Sequence, residues 1–108
     1  MIRLTGRVWA YPAPCDMRKG FNGLSHLVTW QLDKELLLGD AFVFLNRRKT
    51  TVKVLTYDGS GLCILHKRLS KGCFPSLWRG APGEPVRLSA AELATFLDGA
   101  DVLARKPL

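Results

Sequence analysis

Apolar residues in this chain are grouped into short runs divided by polar, turn-forming stretches. Ala41 to Leu45, Thr51 to Tyr57 and Leu62 to Leu69 are rich in Val, Leu, Ile, Phe and Tyr, which fit a pleated surface. Asn46-Arg47-Arg48-Lys49-Thr50 divides the first run from the second, and Asp58-Gly59-Ser60-Gly61 divides the second from the third. Loops of that length and composition predict three consecutive antiparallel strands. Upstream, Ile2 to Tyr11 alternates loosely and holds Val8, Trp9 and Tyr11. It reads as a further short strand, ended by Pro12-Ala13-Pro14, where neither proline can donate to a ladder.

Met17, Phe21, Leu24 and Val28 recur at the spacing of one helical face, which predicts a helix from Met17 to about Gln31. Asp16, just ahead of it, is the expected N-cap. Gly20 and Gly23 would each cost about 1 kcal/mol against Ala inside that helix, so close passage of another backbone is expected there, with a frayed first turn as the alternative. Leu36, Leu37 and Leu38 read as core before the Gly39-Asp40 turn. Pro75 to Pro85 holds three prolines and two glycines and reads as a surface connection, with Trp78 needing a place to pack. Ser89-Ala90-Ala91-Glu92 is a capping box, with Leu88 and Leu93 placed as a hydrophobic staple. Leu93, Phe96 and Leu97 give that helix an inward face, Gly99 suits a left-handed end, and Arg105 to Leu108 should fray. The expected fold is α+β, a mainly antiparallel sheet of about four strands. One helix covers a face, the other face can be wet, and the C-terminal helix packs at an edge or end.

A length of 108 residues fits a single domain, 1–108, and 47% apolar residues can supply its core without metals or disulfides. Three cysteines, Cys15, Cys63 and Cys73, lack the spacing of a disulfide framework. No signal peptide or membrane-length apolar run is visible, so a reducing cytoplasm is the expected location. Charge changes the picture more. The formal net charge is +7, and between Asn46 and Arg79 eight Lys and Arg stand against Asp58 alone, so the rest of the chain cancels. These cations lie on expected strands and turns rather than on a basic amphipathic helix, which favours nucleic acid over a membrane surface.

Catalytic and metal chemistry find little support. Cys63 and His66, three apart on a strand, would point to opposite faces, which disfavours zinc. The acidic residues do not cluster as two-metal nuclease chemistry requires, so a metal-dependent nuclease ranks last. Asp58-Gly59-Ser60-Gly61 opens no helix and is not a phosphate-binding loop. No catalytic residue, cofactor or small-molecule substrate is expected. What remains is a basic hairpin: Arg47, Arg48 and Lys49 at its tip, with Lys53, Lys67 and Arg68 on adjoining strands, all placed to contact phosphates. Cations on exposed strands also guard edges against wrong pairing.

The ordered motifs Asp16-Met17-Arg18-Lys19-Gly20-Phe21-Asn22-Gly23-Leu24, Phe42-Val43-Phe44, Asn46-Arg47-Arg48, Lys53, Asp58-Gly59-Ser60-Gly61-Leu62, Lys67-Arg68-Leu69 and Gly72 with Phe74 carry a resemblance. From about Val8 to Phe74 the chain resembles the TnpB family of insertion-sequence-sixty-six type bacterial transposons. The resemblance implies a non-enzymatic accessory protein of transposition, made beside a separate transposase, with transposon DNA and that transposase as expected partners. A subunit that only docks its cations on the transposase is the alternative.

Overall fold

A computed structural model describes residues 6–78 and 83–99. At its centre lie two strands, β2 (Ala41–Leu45) and β3 (Thr51–Tyr57), flanked by β1 (Val8–Ala10), β4 (Leu62–Arg68) and β5 (Val86–Leu88). Their order is β4-β3-β2-β1-β5. β2, β3 and β4 form the expected antiparallel series, β1 runs parallel to β2, and β5 closes the far edge antiparallel to β1. The α+β class holds, with five strands rather than four. β5 follows Pro85 and is only three residues long, too short for an alternation to show.

Burial follows from the alternation of side chains across the pleat. Val8, Val43, Leu45, Val52 and Val54 point to one side, where Phe74, Leu77, Leu93 and Phe96 cover them. Phe42, Phe44 and Leu55 point to the other, under Cys15, Leu24, Val28, Leu32 and Leu36. The expectation of a wet face therefore fails at the central strands. β2 is apolar at all its positions, and such a strand must be covered on both sides.

The first helix is shorter than its periodicity predicts. α1 (Phe21–His26) starts four residues beyond Met17 and passes into a π-turn over Leu27–Gln31. Asp16 does not cap it; Gly20 stands at the N-cap, with no side-chain bond. The Asp16 carboxylate instead accepts from the Arg18 backbone N–H at 2.9 Å and pairs with the Arg18 guanidinium at 2.7 Å. Asp readily bonds its own backbone two residues on, and that turn competes with the helix start. The expected close backbone is also absent. A Cβ on Gly20 would meet nothing within 4 Å, and one on Gly23 would meet the Lys19 side chain at 3.0 Å.

Of the three leucines expected in the core, only Leu36 is buried; Leu37 and Leu38 are exposed. They form a single 3₁₀ turn, Leu36–Leu38, whose three-residue repeat sends successive side chains in different directions. Gly39 ends it at φ 87°, a left-handed conformation that suits glycine. Asp40 then accepts from the Arg7 N–H at 2.9 Å and the Trp9 indole at 3.0 Å, tying the turn to β1.

α2 (Ala90–Leu97) carries the expected capping box. Glu92 N–H donates to Ser89 Oγ at 3.0 Å, and Ser89 N–H donates to Glu92 Oε1 at 2.9 Å. Leu88 and Leu93 share one buried cluster, as a staple requires. α2 follows the edge strand β5 and inserts Leu93 and Phe96 against the sheet, the Phe96 ring stacking on Phe74 at 5.2 Å. Gly99, at φ 94°, follows its C-cap, and Trp78 packs half-buried on the same core. Arg105 to Leu108 and the start of the Ile2 to Tyr11 run lie outside the described residues. Ser89→Ala should destabilise the protein by about 0.5 to 2 kcal/mol in denaturant unfolding. Asp16→Ala should cost measurably less, because it caps no helix.

Candidate nucleic-acid interface

The β2–β3 connection is held by its own polar groups rather than by its cations. Asn46 Oδ1 accepts from the backbone N–H of Thr50 at 2.9 Å and of Thr51 at 3.1 Å, while Asn46 Nδ2 donates to Thr50 Oγ1 at 3.1 Å. Lys49 N–H donates to Asn46 C=O at 3.0 Å, and Lys49 itself sits at φ 60°. A turn followed by a left-handed residue is a common way to close a hairpin of this loop length. Two bonds then fasten the chain after β4 to this tip: Leu69 N–H to Thr50 C=O at 3.0 Å and Phe74 N–H to Lys49 C=O at 2.6 Å. Between tip and fastened loop lies an open groove of about 550 Å³, with Arg48, Thr50, Arg68, Ser70 and Lys71 among its lining residues.

The six expected cations do not converge. Arg47, Arg48 and Arg68 are exposed. Arg48 and Arg68 line the groove, while Arg47 lines a neighbouring cavity with Pro14, Cys15 and Asp16. Lys49 is half-buried, its ammonium 5.2 Å from the Trp78 ring centre. Lys53 is only 9% exposed, and its ammonium donates to the Lys19 carbonyl at 2.8 Å. Lys67 points to the other side of the sheet and donates to the Leu97 carbonyl of α2 at 2.6 Å. Strand parity separates these two, since Lys53 pairs with His66 whereas Lys67 pairs with Val52. Lys71, exposed in the fastened loop, joins the groove and was not singled out by sequence. Its signal was Phe74 and Leu77 just downstream, whose burial draws the loop back toward the tip.

Among the described residues the salt bridge is Arg18 with Asp16, so Arg47, Arg48, Arg68 and Lys71 carry uncompensated charge. At the opposite end of β3, Asp58 Oδ1 accepts from the N–H groups of Ser60 at 2.8 Å and Gly61 at 2.9 Å. Those bonds hold its carboxyl down at about 2. Cys63 lies beside it, Sγ 3.6 Å from Asp58 Oδ2. Its thiol is shifted upward, chiefly by desolvation and then by that negative neighbour. His66 projects from the other face, so the two do not meet. Among the described residues no three His, Cys, Asp or Glu side chains are grouped to hold a metal ion. No helix among the described residues is long and apolar enough to cross a membrane.

A small α+β protein with an uncompensated basic hairpin tip is the class that fold and surface define. The chain belongs to the family described as IS66 Orf2 like protein, whose model matches residues 6–107. That family places it with the accessory proteins of insertion-sequence transposition. It is 39% identical over 95 residues to the uncharacterized protein y4hO of Sinorhizobium fredii, covering 88% of this chain and 81% of that relative. It is also 33% identical over 106 residues to the uncharacterized protein y4jC of the same organism, covering 94% and 87%. No solved structure matches this chain.

Burial pushes the Cys15 thiol up to about 11, partly offset by Lys19 and Lys53. A raised thiol pKa keeps the proton on in the folded state, so its contribution to stability falls as pH rises from about 8.5, the ordinary thiol value, towards 11. In native protein at pH 8 a thiol reagent should label exposed Cys73 quickly and Cys15 only after unfolding. Equal rates for the two would contradict the buried placement.

Proposed function

We propose that this protein is a non-enzymatic accessory factor of transposition that contacts transposon DNA through the phosphates, using Arg47, Arg48, Arg68 and Lys71. The observation that carries this reading is the set of four exposed, unpaired cations on a tip and loop that hydrogen bonds hold rigid. Guanidinium groups suit phosphate oxygens, and the Thr50 and Ser70 hydroxyls beside them can donate to the same oxygens. Phosphate contacts position a protein on the duplex without reading its sequence, so sequence preference should be slight. Lys53 and Lys67 contribute only indirectly, by tying the strands from which the tip projects to the layers on either side.

Docking on the element's transposase is the second reading, and a different surface favours it. Phe21, Trp30, Leu37 and Leu38 are exposed along the segment that covers one face of the sheet, Trp30 at 71% and Leu38 at 74%. Large apolar side chains held in water are characteristic of surfaces that meet another protein.

With about four phosphates neutralised, affinity for duplex DNA should fall roughly a hundredfold between about 50 and 200 mM salt. The triple variant Arg47→Glu, Arg48→Glu, Arg68→Glu should lose most of that affinity and flatten the slope, with stability nearly unchanged because these groups are solvated. Unchanged affinity in the triple variant across the salt series would sink the DNA reading. Loss of transposase capture on Trp30→Ala with Leu38→Ala, and not on charge reversal, would put docking ahead.

A further inference from the structure

β4 ends the sheet, and among the described residues no strand pairs with its outer side. The ladder to β3 fixes which of its backbone groups face outward. Asp58 N–H donates to Gly61 C=O and Leu69 N–H to Thr50 C=O, at the two ends of the β3–β4 ladder. Hydrogen-bonded pairs alternate in an antiparallel ladder, so Cys63, Leu65 and Lys67 turn their backbone groups towards β3. The N–H and C=O groups of Leu62, Ile64, His66 and Arg68 therefore point outward. The opposite edge, β5, is only three residues long and offers much less.

We propose that two copies of this protein pair through β4, antiparallel about a two-fold axis at Leu65, into one continuous sheet. This register uses all four outward residues of each copy, Leu62 with Arg68 and Ile64 with His66, in about eight backbone hydrogen bonds. It also resolves the charge pattern. Arg68 meets Leu62, His66 meets Ile64 and Lys67 meets Cys63, so no cation faces a cation. A parallel in-register pairing would set His66, Lys67 and Arg68 each against itself, and like charges directly opposite are destabilising. In this register Arg68 of one copy, opposite Leu62, comes towards the Asp58 turn of the other, and Asp58 is the sole acidic residue between Asn46 and Arg79. Leu65, 38% exposed in the single chain, comes against its own copy at a non-hydrogen-bonded pair, where Cα atoms approach to about 4.5 Å. A two-fold axis normal to the sheet keeps both Arg68 side chains on one face, about 20 Å apart along six residues of strand.

Light scattering on a sizing column over a broad concentration range tests the pairing without any DNA. A dimer is expected. Ile64→Pro removes an outward N–H while sparing the ladder to β3, and should leave a folded monomer by circular dichroism. Leu65→Cys, in a Cys63→Ala, Cys73→Ala background, should form a cross-linked dimer under mild oxidant, because a Cα separation of about 4.5 Å admits a disulfide. Ile64→Cys in that background should not cross-link. A monomer at every concentration overturns the proposal, and so does a dimer that Leu65→Cys fails to cross-link. If Ile64→Pro does not fold, the cysteine pair still decides.

Discussion

A strand with only apolar side chains has no side to give to water, and β2 imposes that condition on this fold. Phe42 and Phe44 need a cover on one face, Val43 and Leu45 on the other, and each such burial is worth roughly 1.5 to 3 kcal/mol. The chain divides the task in sequence order. Cys15, Leu24, Val28, Leu32 and Leu36, all ahead of β2, cover the first face. Phe74, Leu77, Leu93 and Phe96, all after β4, cover the second. The hairpins in between are left with Arg47 and Arg48 exposed at one tip and Asp58 to Ser60 exposed at the other.

Two lysines hold those covers in place. An ammonium in a buried position is costly unless hydrogen-bonded, and Lys53 reaches the Lys19 carbonyl just before α1. Lys67 reaches the Leu97 carbonyl at the end of α2, where the helix dipole is negative and a cation is favoured. One strand pair thus ties down both layers, one lysine to each face. Charge count alone overstates the free cations on the surface, because these two ammonium groups are each held by a backbone carbonyl.

Much of the architecture was legible because it rests on local chemistry. The three central strands, both turns and the Ser89 capping box follow from periodicity and turn residues within a few positions. What was illegible depends on contacts distant in sequence. The apolar period begins beside Asp16 and so predicts a cap there, yet the turn Asp16 makes with Arg18 delays the helix to Phe21. Leu37 and Leu38 look like core and are not, since a 3₁₀ turn can bury one leucine of the three. Arg47 and Arg48 lie in the β2–β3 connection and Arg68 at the end of β4, positions that the strand and turn pattern predicts. Lys53 and Lys67 could be separated from them only through the partners their ammonium groups find across 34 and 30 residues of chain.

β3 links two tips of opposite character. The Asn46 end carries Arg47 and Arg48, with Arg68 and Lys71 beside it, whereas the far end carries Asp58, whose carboxylate is kept ionised by backbone donors. Within one chain the two ends of the hairpin therefore differ in sign, and charge arranged in that way can orient a charged partner before close contact. The basic tip draws its shape from Asn46, Thr50 and the backbone rather than from its arginines. Charge there can change without the fold having to respond, whereas at Lys53 charge and fold cannot be varied separately.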